Sequence, residues 1–246
     1  MDKVSLILTT YNSADNLAKT LASIEEQDYQ NIEVNIKDGG STDRTISIIQ
    51  QYANDSHNTV NWISSPDVGI YDAMNQGYQL SGGNIILFFN DLFVDSHVIS
   101  NMVSLINEHQ DCIGAHADLV YATDEAIVRH WRMGRQRSVY TGWMPGHPTL
   151  FLKREIYEQY GLFNTGYRIA ADYEFMLRFL KDRQKNMLAY YPEVIVSMYY
   201  GGTSTSSFKS YVASFREGCR ALRDNRIHFG LIVNLLRSCR VLLQFR

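Results

Sequence analysis

Four short apolar runs, each closed by a polar cluster and followed by a helical repeat, constrain this chain more than any other feature. They are VSLILTT (Val4 to Thr10), IEVNIK (from Ile32), VNWIS (from Val60) and NIILFFN (from Asn84). Runs this short, bounded by turn residues, read as buried strands. Between them lie amphipathic repeats. Leu17, Leu21 and Ile24 follow a cap at Ser13; TISIIQQYA follows the turn DGGSTDRT; Ile70 to Leu80 follows SPDVG; and Val98, Met102 and Leu105 mark a fourth helix. Strands alternating with helices predict an α/β fold, a mostly parallel sheet with helices on both faces.

The second half is less regular. DLVYA and AIVRHW are strand candidates, a polar turn GWMPGHPT precedes LFLKREIYEQYG, a helix is expected from Asp172, and MLAYYPEVIVSMYY is a further strand region. From Phe208 the pattern is that of one or two amphipathic helices, so residues 1–207 read as the main domain and 208–246 as a tail. Residues 209–246 hold eight basic residues against Glu217 and Asp224, a net +6, which leaves −9 for the rest of a chain of net charge −3. A basic tail of this kind suits an anionic partner surface, while nothing in the overall charge points to nucleic acid. Cys112, Cys219 and Cys239 form no CxxC motif and read as reduced thiols. No signal peptide and no membrane span are expected.

In an open parallel sheet, ligands bind beyond the carboxyl ends of the strands. The polar clusters fall at those ends. Thr9, Thr10, Tyr11 and Asn12 follow the first strand; Asp38 to Asp43 the second; Asp67 to Asp72 the third; Asn90, Asp91 and Asp95 the fourth. There is no GxxxxGK[ST] loop and no GxGxxG after the first strand. A carboxylate-rich crevice can hold a diphosphate through a divalent cation, or hydrogen-bond a base or ribose.

The ordered set TTYN, DGGSTDRT, DVGIYDAMNQG, LFFNDLFVD, GHPTLF and YRIAADYEF resembles the family-2 glycosyltransferases, and MYYGGTSTS is similar to bacterial members that build exopolysaccharide and O-antigen chains. The resemblance runs from about Val4 to Ser206. It implies the A-type glycosyltransferase fold, a Rossmann-like sheet, with a nucleotide-sugar donor, Mg²⁺ or Mn²⁺, and inversion of the anomeric centre. It places Thr9, Tyr11 and Asn12 in the first nucleotide loop. Asp38 falls at the acid that contacts the base, most often uracil. Asp67, Gly69, Asp72 and Asn75 fall in the segment over nucleotide and donor, with Asn90 beside them. Asp91 matches a metal-binding acid, Asp172 the general base, and His147 an acceptor contact.

One departure stands out. Asn90-Asp91-Leu92-Phe93 is two residues shorter than the family's acidic stretch and keeps one acid. Asp95, four residues on, either supplies the second metal-binding carboxylate or caps the next helix. Simpler roles stand beside the others. Asp38 and Asp43 suit a turn and a helix cap, Asp72 a helix dipole, Asp172 an N-cap, and His147 a structural turn. His116 and His130 read as structural, Arg220 and Arg223 as a solvated face, and Tyr199 and Tyr200 as core or rim.

The expected activity is transfer of a sugar from a UDP-sugar to a saccharide acceptor, linked to a polyprenyl diphosphate. The protein is expected in the cytoplasm, peripheral at the inner face of the membrane. A nucleotidyltransferase is an alternative, disfavoured because LTTYNSADNL has neither the glycine nor the arginine of such a loop. A non-catalytic nucleotide- or saccharide-binding relative is the other.

Overall fold

The computed structural model describes residues 1–123, 125–182, 186–199 and 208–242. The first half follows the expected alternation: β1 (Val4–Thr10), α1 (Ala14–Glu25), β2 (Ile32–Asp38), α2 (Thr45–Asp55), β3 (Thr59–Ser64), α3 (Ile70–Leu80) and β4 (Ile85–Phe88). After it come β5 (Leu92–Phe93), α4 (Val98–Glu108), β6 (Cys112–Ala122), β7 (Ile127–Trp131), β8 (Phe151–Lys153), α5 (Arg154–Tyr160), α6 (Ala171–Leu180), β9 (Met187–Tyr199), α7 (Phe208–Asp224) and α8 (Gly230–Leu242).

One sheet runs in the order β3-β2-β1-β4-β8-β6-β9-β5, with β7 on β6. The first four strands of this order are parallel, Val4 of β1 lying opposite Ile32 of β2 and Ile85 of β4. Beyond β4 the sheet is mixed. Here β8 is antiparallel to β4 and β6, β6 is parallel to β9, and β5 and β7 pair antiparallel with β9 and β6. The parallel order expected from the sequence thus holds where helical crossovers connect the strands, and gives way where β8 inserts as a short antiparallel rung.

Each sheet face carries its own core. Leu6, Leu8, Val34, Ile36 and Leu87 join Leu17, Leu21 and Ile24 of α1 and Val98, Met102 and Ile106 of α4. On the other face Ile7, Ile86 and Phe88 pack with Tyr71, Met74 and Tyr78 of α3, Phe175, Met176 and Phe179 of α6, and Ala221, Leu222 and Val233 of α7 and α8. Helix α3 lies so close to β1 that a Cβ on Gly77 would come within 2.7 Å of Ile7.

The helices of the basic tail pack against α6. Glu217 of α7 accepts the backbone N–H groups of Arg168, Ile169 and Ala170 just before α6. Asp224 accepts the Tyr167 hydroxyl at 2.6 Å. Arg237 of α8 lies over the Tyr173 ring at 4.4 Å.

The start of α1 corrects one expectation. Ser13 stands at the N-cap position, but its hydroxyl makes no cap bond and instead contacts Thr10. The free N–H of Ala14 goes to Asp43 across the loop.

Candidate active site

The carboxyl ends of β1, β2, β3 and β4 stand side by side, and their loops are stitched together before any ligand is considered. Asn12, at a left-handed φ of 46°, donates its N–H to Ser41 and accepts from Thr42 through Oδ1 at 2.8 Å. This joins the loop after β1 to that after β2. Asn90 clamps β4 to β1, accepting the Thr9 N–H at 2.9 Å and donating to the Thr9 hydroxyl at 3.0 Å.

Asp38 is fully buried at the end of β2. Oδ2 accepts the N–H groups of Gly40 and Ser41 and the Ser64 hydroxyl, while Oδ1 accepts the Ser41 hydroxyl. Burial alone would raise its pKa, but the hydroxyls of Ser41 and Ser64 and the two backbone N–H groups outweigh it and hold the carboxyl low. Asp38 therefore organises the DGGS turn as an ionised anchor.

At the turn Tyr11 and Asp67 close on Gly39 from two sides. A Cβ at Gly39 would come within 2.9 Å of Asp67 Oδ2 and 3.2 Å of the Tyr11 ring, so only glycine lets the two approach. Tyr11 is 64% exposed, a free aromatic face. Below it lies Lys37, a lysine with no solvent exposure. Its Nζ donates to the carbonyls of Asp38 and Ser65 at 2.8 and 2.7 Å and meets Asp67 Oδ2 at 3.3 Å. A charged residue inside an apolar strand pattern looks like a solvent-facing position, so sequence reasoning missed it. The signal available was the polar end of the strand itself.

The segment leading into α3 is held by its own side chains. Asp67 accepts the N–H of Gly69, whose φ of 129° requires glycine. Asp72 accepts the N–H of Val68 at 3.1 Å and the Gln76 amide at 2.9 Å. Asn75 exchanges hydrogen bonds with both backbone groups of Phe163. Asp72 and Asn75 thus shape the loop and dock α3.

Across the sheet end, Asp172 lies in the first turn of α6 and is not its N-cap, which is Ala170. Its Oδ1 faces the Tyr71 hydroxyl at 3.0 Å. His147 packs on Phe88 and Phe163, with ring centroids 5.7 and 5.5 Å apart. Burial lowers its pKa while Asp172 pulls it back up, so the ring is neutral and close to that carboxylate.

Tyr121, near the end of β6, joins the two acidic positions. Burial raises its phenol pKa, Arg129 at 4.5 Å over the ring lowers it, and the carboxylates of both Asp91 and Asp172 push it up. Asp91 and Asp172 therefore bear on one ring. Neither Tyr121 nor Arg129 was singled out from the sequence, because β6 and β7 carry no motif.

Asp91 is partly exposed, and burial is the one cause that raises its pKa, to about 7. Asp95 is committed elsewhere. Its Oδ1 accepts the His97 N–H at 2.8 Å in a turn just before α4, whose N-cap is His97 and has no side-chain cap bond, so the capping alternative does not hold either. Among the described residues no three His, Cys, Asp or Glu side chains converge into a metal cluster. An acid whose ionisation is opposed by burial does suit a divalent cation shared with a diphosphate, so Asp91 fits as a single protein ligand.

His116 is buried between Trp143 and Tyr190 with neither ring nitrogen bonded to a described residue. Burial takes its pKa down to about 3, so it stays neutral. His130 lies in β7 opposite Val120. The stretch from Tyr200 to residue 207, with the GGTSTS motif, and Arg246 lie outside the described residues.

The sheet order, with polar loops at the carboxyl ends of β1 to β4, is that of the A-type glycosyltransferase fold. The chain belongs to glycosyl transferase family 2, whose sequence model matches residues 5–184. It is 29% identical over 217 residues to the PGL/p-HBAD biosynthesis glycosyltransferase of Mycobacterium tuberculosis, covering 82% of this chain and 79% of that one. Among solved structures it is similar to Staphylococcus aureus TarS 1–349 in complex with UDP-GlcNAc, with a TM-score of 0.73 at 17% identity, over 97% of this chain and 72% of that one. It is also similar to the mannosyltransferase PcManGT from Pyrobaculum calidifontis in complex with GDP-Man and Mn²⁺. There the TM-score is 0.67 at 17% identity, over 97% and 74% of the two chains. The chain spans 39% of a longer TarS chain.

Proposed function

We propose that this glycosyltransferase transfers a sugar from a UDP-sugar to a hydroxyl of a saccharide acceptor, with inversion, in the assembly of a surface polysaccharide. The observation that carries the reading is the polar set at the ends of β1 to β3, where Tyr11, Gly39 and the Asp38 turn meet, with Asp172 held by Tyr71 across the sheet end. A TarS structure holding UDP-GlcNAc supports a uridine donor. A Mn²⁺ complex of PcManGT supports a divalent metal.

The nucleotide lies against Tyr11 and Gly39, its base turned to the Asp38 turn. Asp91 would hold the Mg²⁺ or Mn²⁺ together with the diphosphate, and that ion would stabilise negative charge on the departing group. Asp172 takes the proton from the acceptor hydroxyl as its oxygen bonds the anomeric carbon. The bond from that carbon to the diphosphate oxygen breaks in the same displacement, and UDP leaves with the electron pair. Attack from the opposite face inverts the centre. Neutral His147 and Phe163 line the acceptor side, and the tail places the enzyme at an anionic membrane surface.

The test is transfer from a panel of UDP-sugars with and without Mn²⁺, followed by NMR of the product linkage. Inversion with metal-stimulated transfer is expected. Retained configuration sinks the mechanism, and neither transfer nor hydrolysis with any donor leaves the non-catalytic alternative.

A further inference from the structure

A concavity of about 500 Å³ has no lining residue in the loops that follow β1 to β4. Its wall gathers Arg132, Arg137 and Arg240 with His130 and Tyr190. These come from distant parts of the chain. His130 is on β7, Arg132 and Arg137 follow it, Tyr190 is on β9 and Arg240 is on α8.

Arg132 bears on the buried Asp118 carboxylate, while Arg137 and Arg240 make no ion pair among the described residues. None of the ion pairs of Arg44, Arg178, Arg220 and Arg223 involves the three cavity arginines. Arg240 uses Nε on the Thr141 carbonyl at 3.0 Å, which anchors the guanidinium and leaves its terminal nitrogens available. Two acids also line the cavity, Asp118 and Glu193. Asp118 is 5% exposed, and both its oxygens are engaged, by the Met133 N–H and the Tyr190 hydroxyl. Glu193 is exposed. The balance is cationic, and forked guanidinium groups from three directions match the oxygens of a phosphate.

The cavity is also placed near the reaction. On β7, Arg129 pairs with Tyr121, and His130 with Val120. At about 3.3 Å per residue along a strand, Arg132 stands roughly 10 Å from Arg129. The cavity thus begins a few residues along the chain from Arg129, the register partner of Tyr121.

We infer that this cavity binds a phosphate-ester anion, a diphosphate in the first instance, separate from that of the nucleotide. The proposal that this diphosphate belongs to the acceptor rests on the glycosyltransferase reading above. The binding site itself does not. The same chemistry occurs in a phospholipid headgroup.

The probe is inorganic pyrophosphate, titrated by calorimetry into the metal-free full chain already saturated with UDP, so that the donor site is occupied and no cation complexes the probe. Wild type is expected to bind it, and Arg132→Ala with Arg137→Ala to weaken it by roughly 100-fold, as two charge-assisted contacts are lost. Both arginines are exposed, so the double variant uncovers no core, and its affinity for UDP should match wild type. Flotation on phosphatidylcholine vesicles with and without phosphatidylglycerol separates the sources. If the variant also loses the phosphatidylglycerol-dependent part, the anion is a headgroup; if it keeps that part, the anion is the acceptor's. No pyrophosphate binding by the UDP-saturated wild type, or equal binding by the variant, overturns the proposal. A wild type that fails to bind UDP at all instead removes the glycosyltransferase reading.

Discussion

The Tyr71 hydroxyl stands 3.0 Å from Asp172 Oδ1 and 2.6 Å from the Ile169 carbonyl, so one phenol proton faces two acceptors. Burial, and then the Asp172 charge, push its pKa up, so the phenol keeps its proton. Once Asp172 has taken a proton from the acceptor, it can donate that proton to the phenol oxygen, while the phenol donates to Ile169. Tyr71 thus orients the base in both of its states. Asp172→Asn should bind UDP normally and lose turnover by about 10²–10⁴-fold. Tyr71→Phe should keep donor affinity and lower kcat by about 10-fold, the cost of one hydrogen bond. Calorimetry beside a transfer assay checks both, and near wild-type turnover in Asp172→Asn removes the residue from the chemistry.

Asp91 gives a pH prediction. Its folded pKa of about 7 lies above the ordinary value of 3.8. Between those values the folded state binds the extra proton, so stability from this group is present in acid and is lost as pH rises toward 7. A cation reverses the preference, because it binds the carboxylate. Mn²⁺ affinity should therefore climb through pH 7 and level off above it. Asp91→Asn should abolish the Mn²⁺ response and, without metal, resist thermal unfolding better than wild type at pH 8. Asp95→Ala should leave the Mn²⁺ response intact, since Asp95 is occupied by His97. Isothermal titration with Mn²⁺ across pH decides, and a flat profile would mean that Asp91 is not the ligand.

Lys37 and Asp67 form a largely buried pair beside Gly39. Lys37→Met keeps the stem but leaves Asp67 facing Gly39 without its cation. Breaking such a pair from one side costs about 3–5 kcal/mol when it is fully buried, and less here because Asp67 keeps some exposure. A fall in Tm with weaker UDP binding is expected. Lys37→Met with Asp67→Leu should recover much of the Tm but not the UDP affinity. If the double variant binds UDP as tightly as wild type, Asp67 has no part in the donor site.

The alternation through β4 was readable because each strand there is a short segment rich in branched apolar residues, closed by turn residues and followed by a helix of clear period. The remaining strands lacked that signal. β5 is two residues and β8 three, and neither holds together without partners distant in the chain. The first part of β6, Cys112 to Ala117, is dominated by small residues, and its partners lie on β8 and β9. At the site, the motif residues were legible by type, but their division of labour was not. Asn75 and Asn90 look like ligand contacts in sequence, yet Phe163 and Thr9 occupy them. Tyr121 became visible only when β6 brought it between acids that precede and follow it in the chain.

The tail gives the last prediction. The sequence pattern put Leu231 and Leu235 on one helix face, and Arg237 and Arg240 on another. The apolar pair is indeed outward, 60% and 48% exposed, with Ile232 at 56% beside them. The arginines are not a free basic face. Arg237 turns in over Tyr173 and Arg240 reaches the Thr141 carbonyl. The inner side of α8 buries Val233 and Asn234, so the helix is at once a packed element and the bearer of an exposed apolar row. Among the described residues no helix is long and apolar enough to cross a membrane. Insertion of the outer row into an interface is therefore the expected anchor, aided by about 1 kcal/mol for each nearby basic residue. Removing the tail after Asn225 would uncover buried Leu222, so charge on the outer row is the cleaner change. Leu231→Glu with Leu235→Glu should keep UDP affinity and Tm yet stay behind in flotation with anionic vesicles, at low and high ionic strength. Wild type should float, and keep part of its binding in high salt, because screening weakens the basic contribution and leaves the apolar one. Equal flotation of both proteins, or of neither, would mean that α8 is not the membrane contact.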